Sequence, residues 1–131
     1  MTAFSCDGTP VPQGSMKVIN GHILHSQGSA LAVWRSTIAL SARFAGAKPL
    51  DGPMGIEVTF RVRRPKTVKR EYPSVAPDLD KYIRACLDAL TGICYIDDSQ
   101  IVDIKARKVY SDTPGADISV HPLFTLDTPL L

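Results

Sequence analysis

Two different hydrophobic periods follow one another along this chain, and together they restrict it to a fold that mixes helices and strands. Apolar residues recur every three or four positions over residues 31–45, which is typical of an amphipathic helix. Over residues 56–63 they alternate with polar residues, which indicates a half-buried strand. The helical period returns at about residues 80–90, and Gly92 is expected to end that helix.

Each predicted helix has an apolar stripe that should face the core. In the first helix the stripe consists of Leu31, Trp34, Ile38 and Ala42, and in the second it consists of Ile83, Leu87 and Leu90. Three charged residues of the second helix lie four positions apart and share another face, namely Asp80, Arg84 and Asp88. The second helix is therefore expected to bury one side and to present charges on another.

The remaining segments predict further strands and one long loop. Strands are expected at residues 101–110 and 117–120, separated by a turn at residues 113–115, with antiparallel pairing at the C-terminal end. Prolines and cations indicate a loop at residues 65–77. Because 131 residues suit one domain, we expect a single compact α+β domain, loosely α/β, with a mixed sheet and two main helices. Residues 1–15 and 125–131 are expected to be partly flexible.

Composition excludes several classes of protein. No apolar run approaches the roughly 18–20 residues that cross a bilayer, and the first fifteen residues lack the features of a secretory signal. Three cysteines without C-x-x-C spacing favour a reduced compartment and argue against a structural zinc site. We therefore expect a cytoplasmic protein with no membrane partner and no organic cofactor.

The net charge of +2 hides an uneven distribution of charged side chains. Residues 61–70 contain six cations and no acid, and five aspartates follow by residue 98. The cations are Arg61, Arg63, Arg64, Lys66, Lys69 and Arg70, and the aspartates are Asp78, Asp80, Asp88, Asp97 and Asp98. A run of cations is often only a solvated surface. Basic side chains beside spaced carboxylates also suit a protein that binds a polyanion and holds a divalent cation against it.

The aspartates form two pairs, and each pair has a structural and a catalytic interpretation. One aspartate at the start of a helix is most simply an N-cap, but Asp78 and Asp80 together exceed what capping requires. Asp97 and Asp98 follow the Gly92 bend, which could return them towards the first pair. Converging carboxylates raise one another's pKa, and Mg²⁺ would relieve that repulsion. This pattern predicts metal-dependent phosphoryl chemistry on nucleic acid, with nuclease, nucleotidyl transferase and nucleotide hydrolase all open.

Residues 76–102, APDLDKYIRACLDALTGICYIDDSQIV, resemble the RusA family of Holliday-junction resolvases. The family pattern is approximately P-D-x-D-N-L-x-K-x-x-x-D-A-L-x-G, a few residues, then D-D-x-Q-[IV]. The K-x-x-K-x-Y at residues 105–110 also matches, while residues 11–17 and the Trp34-Arg35 helix are similar to phage members more loosely.

The resemblance implies roles for individual residues. The family's metal-binding catalytic carboxylates fall on Asp78, Asp80 and Asp98, with Asp97 as a further candidate ligand. Its catalytic lysine falls on Arg84, which keeps the charge but cannot give up a proton. The same comparison implies a homodimer that nicks four-way DNA junctions symmetrically with Mg²⁺ or Mn²⁺, encoded by a bacterial host or its phage.

Several further residues are predicted to contact DNA or to support the site. The predicted DNA-binding residues are Arg64, Lys66, Lys69, Arg70, Lys81 and Lys108. Tyr72 and Tyr82 could stack on unpaired bases or simply pack, and Asp88 is expected to pair with Arg84. Two alternatives remain: a branched-DNA-binding protein with little or no cleavage activity, and a metal-dependent nucleotide hydrolase.

Overall fold

The computed structural model describes residues 1–14, 16–19, 22–25 and 28–123. The elements, in chain order, are β1 (Thr2–Asp7), β2 (Met16–Ile19), β3 (His22–His25), α1 (Gly28–Phe44), β4 (Met54–Val62), α2 (Leu79–Leu90), a 3₁₀ turn (Asp98–Gln100), β5 (Ile101–Tyr110) and β6 (Gly115–Pro122). Within the described residues, neither helix has the length and apolar character that a membrane span requires. The predicted flexibility of residues 125–131 concerns residues outside those described.

Four strands form a mixed sheet in the order β1-β6-β4-β5, and β2 pairs with β3 in a separate antiparallel ribbon. Strand β6 is antiparallel to both β1 and β4, whereas β4 and β5 are parallel. A parallel pair needs a long crossover, and the segment from β4 through α2 to β5 supplies it. The expected α+β domain is therefore confirmed. The antiparallel pairing near the C-terminus involves β6 with β1 and β4 rather than with β5.

Helix α1 packs against α2 and β1 with the predicted stripe inward. Leu31, Trp34, Ile38 and Ala42 are all buried, as the periodicity predicted. The central strand β4 buries Ile56, Val58 and Phe60 against the same core and is also confirmed. The N-terminal residues expected to be partly flexible include β1, which pairs with β6 along its length.

The predicted stripe of α2 was wrong in part. Leu90 is buried, but Ile83 and Leu87 are only half-buried. The buried face is instead centred on small residues, and its members are Tyr82, Ala85, Cys86, Ala89 and Leu90. It is rotated by about 100°, one residue step, from the predicted stripe. Ile83 and Leu87 still pack against this core as partly buried residues.

Arg61 shows how part of the predicted basic segment belongs to the sheet. Its guanidinium pairs with Asp7 and Asp117, each at 3.3 Å, and its Nη2 donates to the Cys6 carbonyl at 3.1 Å. Arg61 lies on the sheet face opposite the buried residues of β4. It therefore joins β1, β4 and β6, and it is not available to a ligand.

Candidate functional site

Asp78 occupies the N-cap position of α2, but its side chain caps nothing. Its backbone is extended (φ −69°, ψ 143°), and its carbonyl accepts hydrogen bonds from the amides of Lys81 at 3.1 Å and Tyr82 at 3.3 Å. An aspartate here would ordinarily accept a hydrogen bond from the first-turn amides, yet no side-chain cap bond is formed. The exposed carboxylate is therefore not occupied by the structural task that its position suggests.

Asp80 lies in the first turn of α2 and pairs with the next residue. The Lys81 ammonium donates to Asp80 Oδ2 at 2.7 Å. This hydrogen bond, helped by the charge of Lys81, lowers the pKa of the Asp80 carboxyl. Asp80 is therefore ionised at neutral pH, and Lys81, predicted as a DNA contact, is beside a carboxylate at the same surface.

The segment before β2 packs on the charged face of α2. The Gln13 amide donates to the Lys81 carbonyl at 3.0 Å, and Gln13 Nε2 donates to Asp88. Gly14 has φ +152°, and a Cβ there would lie 2.6 Å from Lys81 Cδ and 3.7 Å from Arg84 Nη1. Only glycine permits this approach without displacing Lys81.

The predicted ion pair between Arg84 and Asp88 is not formed. Across the described ranges no ion pair joins these two side chains, and Asp88 instead accepts a hydrogen bond from Gln13. Gln13 of the N-terminal segment takes the place of Arg84 as the partner of Asp88. Residue spacing within a helix cannot predict such a contact from a distant segment. The exposed Arg84 guanidinium thus remains available at the same surface as Asp80 and Lys81.

The second acidic pair lies in the 3₁₀ turn, where Asp97 serves as the cap. Asp97 Oδ1 accepts a hydrogen bond from the Ser99 amide at 3.4 Å, and its Oδ2 accepts one from Ser99 Oγ at 3.0 Å. These bonds lower the pKa of the Asp97 carboxyl. Both carboxylate oxygens are therefore engaged within the turn.

Gln100 holds this acidic turn in place through both the oxygen and the nitrogen of its side-chain amide. Its Oε1 accepts hydrogen bonds from the amides of Ile96 at 2.8 Å and Asp97 at 2.9 Å, which completes a capping box. Its Nε2 donates to the carbonyls of Leu50 at 2.9 Å and Gly52 at 2.8 Å. The glutamine of the D-D-x-Q motif thus holds the turn against the loop before β4, a function that the sequence reasoning missed.

Asp98 is exposed and lies within electrostatic range of α2. Desolvation raises the pKa of its carboxyl, and the neighbouring Asp97 carboxylate and the charge of Asp88 raise it further. Unlike Asp97, Asp98 does not act as the cap of the turn.

The four predicted metal ligands do not gather into one cluster within a single chain. Among the residues that the structure describes, no group of three or more His, Cys, Asp or Glu side chains is close enough to hold a metal ion. Mg²⁺, however, commonly binds proteins through one or two carboxylates and takes its other oxygens from water and substrate phosphate. Asp78, Asp80 and Asp98 offer carboxylate oxygens of the kind that Mg²⁺ takes, and one or two of them would meet that smaller requirement.

The basic loop, residues 63–77, carries exposed cations and contains no helix or strand, so the loop predicted at residues 65–77 begins two residues earlier. Lys66 and Lys69 are exposed. The Arg64 guanidinium lies 4.8 Å from the Tyr110 ring centroid, and Arg70 Nε donates to Tyr110 Oη at 3.0 Å. Tyr110 on β5 therefore orients two of the four predicted DNA-binding cations of this loop.

Two predicted contacts prove to be largely internal. Lys108 Nζ donates to the carbonyls of Val75 at 2.7 Å and Pro77 at 2.8 Å, so it braces the loop immediately before Asp78. Tyr82 is 4% exposed and packs on Phe60 with ring centroids 5.3 Å apart, which confirms the packing alternative for this tyrosine. Tyr72, in contrast, is exposed.

Comparison with known proteins gives two matches over most of the chain. A family model described as endodeoxyribonuclease RusA matches residues 7–121. The chain is also similar to "Uncharacterized protein YqaN" of Bacillus subtilis (strain 168), with 30% identity over 133 residues, which cover 90% of this chain and 94% of that protein. The matched family region includes the basic loop, both aspartate pairs and Gln100.

Proposed function

Because this chain belongs to the RusA family of endodeoxyribonucleases, we propose that it cleaves four-way DNA junctions by paired, symmetric nicks. The observation that carries the proposal beyond family membership is Asp78. It stands at a helix N-cap, where an aspartate normally bonds the backbone, yet its carboxylate is exposed and makes no cap bond. A carboxylate withheld from capping is available for a ligand.

The proposed metal ligands are drawn from Asp78, Asp80 and Asp98, of which at most two would hold one ion within a single chain, with Mg²⁺ as the ion and Mn²⁺ as its substitute. When bound there, the ion would supply charge stabilisation at the attacked phosphate and activation of water. All three side chains are exposed, so a phosphodiester at the surface can approach them. We assign Asp97 to capping, because its oxygens already accept hydrogen bonds from Ser99.

Arg84 is the proposed stabiliser of negative charge on the phosphate. Its guanidinium is always protonated, so it acts as a fixed cation and not as a general acid. In the described ranges it forms no ion pair, and it lies beside Gly14 and one turn from Asp80. The attraction between this guanidinium and the phosphate would increase as the phosphate gains negative charge in the transition state. An interaction that is stronger in the transition state than in the bound substrate accelerates the reaction, whereas an equal one only improves binding.

The basic loop is the proposed contact for the DNA arms. Lys66 and Lys69 extend into solvent, while Arg64 and Arg70 are oriented by Tyr110. Contacts with phosphates release counterions and make binding fall steeply with salt. The loop leads directly into Asp78, so phosphates held by these cations would place the backbone beside the acids.

A homodimer follows from the symmetry of the proposed cuts, and α1 offers a surface for it. Val33, Leu40 and Phe44 share one face of α1, opposite the buried stripe, and all three are exposed, Phe44 by 92%. Apolar side chains grouped on a surface mark interaction sites. Because a twofold substrate needs two equivalent active sites, we propose a second copy of this chain as the occupant.

The direct test is cleavage of a labelled four-way junction with Mg²⁺, compared with EDTA. Linear duplex and flap substrates are the matched controls. We expect paired nicks only in the junction and only with the metal. Junction binding without cleavage would instead favour a branched-DNA-binding protein, an alternative that the replacement of the family lysine by Arg84 supports. Turnover of free nucleotides without junction cleavage would indicate a nucleotide hydrolase.

A further inference from the structure

We propose that the cavity between the basic loop and α2 binds one unstacked nucleotide of the DNA substrate; this inference rests on the proposed nuclease function. The cavity has a volume of about 480 Å³. Residues of the N-terminal segment, β4, the basic loop, α2 and β5 line it, among them Pro12, Arg63, Arg70, Val75, Tyr82 and Tyr110. Its volume lies in the range of about 300–1,000 Å³ typical of small-molecule sites, which suits one nucleotide and excludes a duplex.

The walls of the cavity suit the face of a base. Proline rings from three separate segments, Pro12, Pro73 and Pro114, contribute apolar surface, and Tyr110 contributes an aromatic ring. The Arg64 guanidinium lies 4.8 Å from the Tyr110 ring centroid and lines a neighbouring pocket, so it holds the ring without entering this cavity. Bases bind such surfaces by stacking whatever their sequence, because every base has a π-face.

Tyr82 supplies a polar group inside these apolar walls. It lines the cavity, and its hydroxyl is not among the fully buried side-chain atoms that lack a partner in the described part of the chain. Burial raises the pKa of the Tyr82 hydroxyl, which therefore remains protonated and able to donate to a base edge.

Fixed cations beside the cavity suit the nucleotide phosphate. Arg63 and Arg70 both line it, and Arg70 is held by Tyr110 Oη. Lys108 also lines it and grips the carbonyls of Val75 and Pro77, which are themselves in the wall. The wall continues directly into Asp78, so a nucleotide in the cavity would lie close along the strand to the phosphate that is cut. We therefore infer that this cavity selects the base next to the cleavage site.

Binding of the four deoxynucleoside 5′-monophosphates, measured by calorimetry against inorganic phosphate, tests the inference. Val75 is 49% exposed, so Val75→Trp should fill the cavity without disturbing the core. The matched control is Val102→Trp, a valine 66% exposed on β5 and outside the cavity lining. We expect at least a tenfold loss of monophosphate affinity for Val75→Trp and no change for Val102→Trp. Tyr82→Phe, which removes only the hydroxyl, should weaken binding of at least one base severalfold.

The outcomes separate the cavity from the nuclease function. Unchanged monophosphate binding by both Val75→Trp and Tyr82→Phe would overturn the cavity as the site, and equal affinity for inorganic phosphate would overturn base recognition. If wild type cuts junctions and Val75→Trp cuts them at the same rate and positions, the inference fails while the nuclease proposal stands. If wild type binds monophosphates but cuts no junction, the nuclease proposal fails and the nucleotide site stands.

Discussion

Replacing Gln100 by alanine removes the side chain that holds the acidic turn in place. Its amide makes four hydrogen bonds, two accepted from Ile96 and Asp97 and two donated to Leu50 and Gly52. A typical hydrogen bond contributes about 0.5–1.5 kcal/mol, and bonds at partly exposed positions lie towards the low end. We therefore expect a loss of about 2 kcal/mol in the free energy of unfolding, which is also the upper end for loss of a cap.

Chemical denaturation followed by circular dichroism measures this loss directly. The matched control is Gln100→Glu, whose carboxylate can still accept from Ile96 and Asp97 but cannot donate to Leu50 and Gly52. Its unfolding free energy should lie between those of wild type and Gln100→Ala. Because the turn carries Asp98, the rate of junction cleavage should also decrease from wild type to Gln100→Glu to Gln100→Ala. A loss below about 0.5 kcal/mol for Gln100→Ala, the range of ordinary surface substitutions, would refute the assignment of this network.

Three further perturbations test other parts of the proposal. Asp80→Asn should retain fold and junction binding but abolish cleavage, because the ion pair with Lys81 is exposed and contributes little to stability; undiminished nicking would remove Asp80 from the catalytic set. The double substitution Lys69→Ala with Arg70→Ala should weaken junction binding most at low salt. The slope of log binding constant against log salt concentration should fall by the equivalent of up to about two phosphate contacts. An unchanged slope would exclude the basic loop as a phosphate contact. Phe44→Glu should convert a dimer into a monomer, as measured by light scattering after size-exclusion chromatography; an unchanged dimer mass would exclude the α1 face.

Local periodicity predicted both helices and the strands β4, β5 and β6, but it did not predict the three N-terminal strands. The inward stripe of α1 and the alternation of β4 follow from spacing alone, since each element buries one face. The order of the strands did not follow, because β5 lies beside β4 through the α2 crossover, and no local pattern encodes which edge a strand joins. The prediction for α2 was wrong in part, because Ala85 and Ala89 lie on its buried face while Ile83 and Leu87 are only half-buried.

The candidate site shows the same division between local and distant information. The positions of Asp78 and Asp98 were apparent from the sequence, and the free carboxylate of Asp78 could only be seen once the cap geometry was known. The contacts of Gln100 and Lys108 could not be predicted, because their partner carbonyls lie 31 to 50 residues away in the chain. Long-range hydrogen bonds depend on topology, which residue spacing does not specify.

The most direct test of the central claim is the single-turnover rate of junction cleavage by Asp78→Ser, measured together with its unfolding free energy. Because the Asp78 side chain forms no cap bond, serine, which is itself a favoured N-cap residue, loses no hydrogen bond there and cannot supply a carboxylate. We predict an unfolding free energy within about 0.5 kcal/mol of wild type and no detectable cleavage. Wild-type cleavage by Asp78→Ser would show that the Asp78 carboxylate is not needed for catalysis and would contradict the account.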